Sequence, residues 1–137
     1  MPIRESCLLL DTHAWVWAME GDARASLLES FSGSCAVSVL SVWEVGMLAS
    51  KGRLELTPSV EEWVEENLKS PVTLQALTPE IALHSTSLKE FHGDPVDRML
   101  VSTACITGHP LVTRDRRILS WFGKQKDLGH LVIPLGH

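Results

Sequence analysis

The chain has 137 residues, enough for one domain with its own core, and at 45% apolar and 21% charged residues its composition excludes a disordered or fibrous protein. Its three cysteines, Cys7, Cys35 and Cys105, stand singly in apolar runs with no Cys-x-x-Cys pair, which excludes a disulfide framework and points to a reducing compartment. The net charge of −5 is unevenly spread: 15 acids face 6 lysines and arginines up to residue 97, and 2 face 6 from residue 98 onward, so an anionic polymer is not excluded as a partner.

Residues 7–10 are a short apolar run that follows Arg4-Glu5 and stops at Asp11. The run is too short for a signal peptide or a membrane span and reads as a buried strand in a cytoplasmic protein with no membrane partner. Ala14–Met19 changes to helical character and stops near Gly21. Ser34–Leu40 is small and β-branched, a second strand, and Val45, Leu48 and Ala49 then give helical spacing from Ser41 until Gly52. Arg53–Leu56 is expected to be a short extended piece. Ser59–Leu68 is an acidic amphipathic helix with Trp63 and Val64 inward, its glutamates forming a solvated face. Val72–Leu77 reads as extended, and Thr78-Pro79 opens a helix with proline at its first position. After a loop at 88–93, Asp94-Pro95 starts a helix that Gly108 ends. Leu111–Thr113 is a strand, Arg116–Trp121 a short helix and Leu131–Leu135 a last strand. Alternating strands and helices predict an α/β fold: one domain over residues 1–137, a mostly parallel central sheet and helices on both faces.

Four acids, Asp11, Glu44, Asp97 and Asp115, each fall where a strand-like run gives way to a helix-like one. In a parallel α/β sheet those junctions open onto one edge, where ligands bind. Carboxylates gathered there repel one another and call for divalent cations, which points to metal-dependent chemistry on phosphates. Each acid also has a structural explanation. Ser41 and Glu44 match a capping box, Asp94 an N-cap before Pro95 with Asp97 in the first turn, and Asp11, Thr12 and Asp115 are further cap candidates. A helix N-terminus is expected to hold such carboxylates ionised, as metal ligation requires. Asp94 is assigned to capping alone. The histidines show no metal-ligand spacing, and P-loop, dinucleotide-binding and nucleophile-elbow motifs are absent. The tryptophans read as core, with Trp15 and Trp17 as candidate partner anchors.

The strings LLLDTHAWVW, SVLSVWEVGMLASKGRLEL, HGDPVDRMLVSTA and GHPLVTRDRRI, in this order between about Cys7 and Trp121, resemble the PIN-domain toxins of the VapC family. The resemblance implies a Mg²⁺- or Mn²⁺-dependent endoribonuclease, the toxin half of a type II toxin–antitoxin pair, acting on RNA and leaving a 5′-phosphate and a 3′-hydroxyl. It implies a VapB-type antitoxin as partner and a homodimer. By the same resemblance Asp11 and Asp97 would be the core metal ligands and Glu44 and Asp115 would complete the catalytic quartet. Thr12 and Thr113 would stand near the phosphate, and Arg98, Arg114, Arg116 and Arg117 are expected to hold flanking phosphates. The competing expectation is a non-catalytic PIN-like module whose acidic pocket docks a basic partner segment.

Overall fold

The computed structural model describes residues 6–136, so Arg4-Glu5 and His137 lie outside the described residues. Five strands, β1 (Cys7–Leu10), β2 (Ser34–Ser38), β3 (Val72–Gln75), β4 (Leu111–Thr113) and β5 (Val132–Pro134), form one sheet in the order β3-β2-β1-β4-β5. Every pairing is parallel, with Leu10 opposite Val37 on one side and Val112 on the other. Successive strands add outward from β1 to β3, and the chain then returns to the other side of β1 to lay down β4. β1 and β4 are therefore neighbours whose connections leave in opposite directions, and such a switch point opens a crevice at the carboxyl ends of the strands.

The helices are α1 (Thr12–Met19), α2 (Val39–Ser50), α3 (Val60–Glu66), α4 (Pro79–Thr86), α5 (Pro95–Thr107) and α6 (Arg116–Lys124), with 3₁₀ turns at Ala23–Leu28 and Gly129–Leu131. Among the described residues none is long and apolar enough to cross a membrane. β1 is apolar throughout because it is covered on both faces. Leu8 and Leu10 pack with Trp15, Val37, Val45 and Trp63 on one face, whereas Leu9 packs with Leu100, Leu111, Trp121 and Phe122 on the other. The three cysteines are half-buried free thiols, and burial pushes Cys35 up to about 11, which suits packing rather than reactivity.

The α5 boundaries follow from local chemistry: Asp94 accepts a hydrogen bond from the Asp97 amide, Pro95 occupies the first turn, and Gly108 closes the helix at φ +77°. Three expectations fail: the start of the second helix, the extended piece at 53–56, and a strand before Asp97, since α5 follows α4 and a loop with no strand between them. The second helix begins at Val39, because Ser38 caps it by accepting from the Leu40 amide at 3.1 Å, and Ser41 and Glu44 form no capping box. Residues 53–56 form no strand; Leu56 plugs the core instead. The 3₁₀ turn at Ala23–Leu28, capped by Asp22, carries no hydrophobic period that would announce it.

Candidate active site

Asp11, Glu44, Asp97 and Asp115 all line one cavity of about 390 Å³ at the β1/β4 switch point. Asp11 follows β1 directly and caps α1, its Oδ1 accepting from the Ala14 amide at 2.7 Å. Asp115 follows β4 and caps α6, accepting from the Ile118 amide at 3.0 Å. Asp97 sits in the first turn of α5, and Glu44 one turn into α2. Three elements remote in sequence are thus aimed at one place by their own start signals. The loop before α5 is held tightly as well. A Cβ on Gly93 would collide with the Phe91 ring and meet the Asp97 Cβ at 3.0 Å, so only glycine lets the chain pass so close to the acid.

The electrostatics run against the simple capping expectation. Burial first, and then Asp94, Asp115, Glu44 and Asp11, together raise the Asp97 carboxyl to about 7. Burial also raises Asp11, although the Thr113 hydroxyl, the Ala14 amide and His13 all favour its charge. Helix N-terminal positions therefore do not offset desolvation, which, with repulsion from neighbouring acids, raises both groups. Asp94 is more than a cap. It lines the same cavity and follows burial among the causes that raise Asp97, making a fifth carboxylate that a capping assignment overlooks. Arg114 and His13 are the basic side chains on the lining of this cavity among the described residues.

Several side chains expected to touch RNA have other engagements. Arg98 spends its guanidinium on backbone carbonyls: Nε and Nη2 donate to Ser85 at 3.1 and 2.7 Å, Nη1 to Phe91 at 2.9 Å, and Nη2 to Leu88 at 3.2 Å. Charge in a sequence does not distinguish a phosphate ligand from such a clamp. Thr12 is buried and donates to the Ser41 hydroxyl at 2.9 Å, tying α1 to α2. Thr113 is fully buried, donates to Asp11 Oδ2 and accepts from the Asp115 amide at 3.0 Å. It is a positioning residue that couples two of the acids. Trp15, a candidate partner anchor, is fully buried and donates to the Asn67 carbonyl at 3.0 Å. Arg114, Arg116 and Arg117 are exposed, and Arg114 lies on the cavity wall.

Thr113→Val keeps the shape of the side chain and removes the hydroxyl. The variant is expected to lose about 1–3 kcal/mol of stability from the orphaned Asp115 amide and the unsupported Asp11 carboxylate. Urea unfolding measures it, and an unchanged midpoint would show that the hydroxyl carries no weight there.

A hard-oxygen donor set with uncompensated negative charge fits a divalent cation such as Mg²⁺, which keeps several waters and needs one or two carboxylates. Among the described residues, however, no three His, Cys, Asp or Glu side chains stand close enough to cage an ion outright. The chemistry of the donors fits, and a finished ligand cage is not preformed.

A parallel five-stranded sheet whose switch-point cavity is walled by carboxylates defines the PIN-domain class, and the PIN domain model matches residues 8–121, so the chain belongs to that family. Within it, the chain is 34% identical over 118 residues to Ribonuclease VapC22 of Mycobacterium tuberculosis (strain ATCC 25618 / H37Rv), which covers 82% of this chain and 90% of the relative. Solved structures share the fold. A toxin–antitoxin complex from Klebsiella pneumoniae aligns with TM-score 0.67 at 19% identity, over 92% of this chain and 95% of that one. VapBC2 from Rickettsia felis, bound to a DNA fragment from its promoter, aligns with TM-score 0.67 at 16% identity, over 95% and 99%.

Proposed function

We propose that this chain is a divalent-cation-dependent endoribonuclease, the toxin of a toxin–antitoxin pair, with Asp11, Glu44, Asp97 and Asp115 as its catalytic carboxylates. The observation that carries the proposal is the shared cavity of these acids, in which Asp97 is raised to about 7 by burial and by its acidic neighbours. A site so short of positive charge is one that a cation completes. The VapC relative supplies the substrate class by its name, and the toxin–antitoxin structures supply the kind of partner. Asp11 and Asp97 are the direct ligands for Mg²⁺ or Mn²⁺, with Glu44 and Asp115 acting in part through water.

A bound cation supplies charge neutralisation at the scissile phosphate and lowers the pKa of an attacking water. The chain's own residues do the rest. Thr113 orients Asp11 and spaces it from Asp115, the α5 N-terminus aims Asp97, and Arg114 offers a positive contact to a flanking phosphate. Trp43, Leu74 and Leu83 are exposed, at 59%, 54% and 70%, and each is an apolar side chain that an antitoxin or a second copy would cover.

The lack of a preformed cage favours one competing function, a docking module whose acids grip a basic partner segment. A thermal melt separates them. Millimolar Mg²⁺ or Mn²⁺ is expected to raise the melting temperature by about 5–10 °C, given about 2.7 kcal/mol at a hundredfold excess over Kd. The rise should be larger at pH 8 than at pH 6, because below about 7 a proton competes for Asp97. No rise at either pH, with no cleavage of single-stranded RNA, would leave the docking module standing.

A further inference from the structure

Aromatic and basic side chains share the cavity lining with the acids. His13 and Trp17 lie one turn apart on α1 and so share a face of that helix, their ring centroids 5.6 Å apart and tilted by 44°. Both line the cavity. Trp15 and Trp63, by contrast, pack edge-to-face in the core, where an aromatic of this size is ordinarily placed. Trp17 packs partly against the core and is flanked by cations. The Arg24 Cζ lies 4.2 Å from its ring centroid, and Asp22 grips Arg24 in turn through two bonds of 3.0 and 2.8 Å. The Arg114 Cζ stands 5.7 Å from the same centroid. The result is an aromatic wall of fixed orientation, flanked by guanidinium groups, beside a cluster of carboxylates.

We propose that His13, Trp17 and Arg114 form a nucleotide subsite that stacks an unpaired base adjoining the scissile phosphate, with Arg114 holding that nucleotide's phosphate. The inference rests on the ribonuclease assignment above and adds the form of substrate that the site accepts. Chemistry at the wall selects the occupant. A nucleotide brings an anion to Arg114 and a π-face to the aromatic wall, while a cation offsets the carboxylates on the rest of the lining. In a duplex the base faces are buried in their own stack, so the wall selects single strands, loops and splayed bases. Stacking on a side chain tolerates every base, so this wall sets position and strandedness more than sequence.

The test is equilibrium binding of a fluorescein-labelled single-stranded oligoribonucleotide to the cleavage-deficient Asp97→Asn protein in Mg²⁺. A matched series carries one abasic nucleotide at each position around the cleavage site. Adding Trp17→Ala is expected to weaken binding of the intact oligonucleotide by about 10- to 100-fold. One abasic position should weaken the parent by a similar factor and cost the Trp17→Ala protein nothing more. Trp17→Phe should recover most of the affinity. His13→Ala, at an exposed position that does not disturb the core, should give a smaller loss at the same nucleotide. A merely structural effect of Trp17→Ala would lower affinity for every oligonucleotide alike and leave the abasic penalty intact, which would overturn the subsite. Equal binding of the intact strand by parent and Trp17→Ala would overturn it too, as would equal affinity for the duplex. A Trp17→Ala protein that loses an arginine-rich peptide but keeps RNA would assign the wall to a protein partner instead. Absence of both RNA binding and wild-type cleavage would remove the ribonuclease function itself, a result distinct from failure of the subsite.

Discussion

Replacing Asp97 with asparagine is expected to abolish RNA cleavage and, at the same time, to raise the melting temperature in metal-free buffer at pH 8. The two effects have one cause. The Asp97 carboxyl is raised to about 7 by burial and by four neighbouring acids, so its charged form is disfavoured in the folded chain. Between its ordinary value of 3.8 and about 7, the folded chain binds a proton that the unfolded chain has released. Stability from this group therefore falls as pH rises through that window and stays low above it. Asparagine has the same shape without the charge. Its melting temperature should exceed the parent's at pH 8 by about 2–4 °C, roughly 1 kcal/mol once solvent screening is allowed for, and the two should converge near pH 4. Activity moves the other way. Loss of a carboxylate that holds the cation removes several kcal/mol of transition-state stabilisation, a fall of about 10³-fold or more. A folded Asp97→Asn protein that cleaves RNA like the parent would dismantle the proposed mechanism, and an unchanged melt at pH 8 would refute the electrostatic account.

Arg98→Ala is expected to be the most destabilising of the substitutions considered, at about 2–4 kcal/mol in urea unfolding. The Ser85 carbonyl belongs to the last turn of α4, where helix geometry leaves carbonyls without partners, and Arg98 satisfies it with two donors. The same guanidinium holds the Leu88 and Phe91 carbonyls, fixing the loop whose Gly93 and Asp94 lead into α5. Arg98→Lys retains the charge but not the planar fork and should still lose about half of that stability. If Arg98 held a phosphate instead, Arg98→Ala would unfold as the parent does and reduce the salt dependence of RNA binding by about one phosphate contact. That pattern would overturn the clamp.

The legible parts of the fold were those written in local chemistry. Asp94-Pro95 and Gly108 bracket α5, and Thr78-Pro79 opens α4, because caps and fixed φ angles act within a few residues. Local chemistry leaves the β2–α2 boundary ambiguous for the same kind of reason. Ser38 and Ser41 are both competent caps, and only the backbone conformation at Ser38 chooses between them. The four acids were legible as a pattern, yet Asp94 was set aside because its capping role accounts for it fully in one dimension. In sequence Arg98 reads as a phosphate contact by its charge, and Thr113 is placed near the phosphate by family resemblance. Their actual partners, the Ser85 carbonyl and the Asp11 carboxylate, lie 13 and 102 residues away.

By itself, then, the sequence determined most of the strands and helices and put acids at the starts of α1, α5 and α6, since hydrophobic period and capping are properties of neighbours along the chain. The tertiary structure decided the strand order that sets β1 beside β4, and with it the cavity that Asp11, Glu44, Asp94, Asp97 and Asp115 share. It also decided that burial and acidic neighbours raise Asp97 to about 7, and that Trp17 lines the cavity of the acids while Trp15 fills the core. Desolvation and charge repulsion are sums over neighbours in space, and no local pattern contains them.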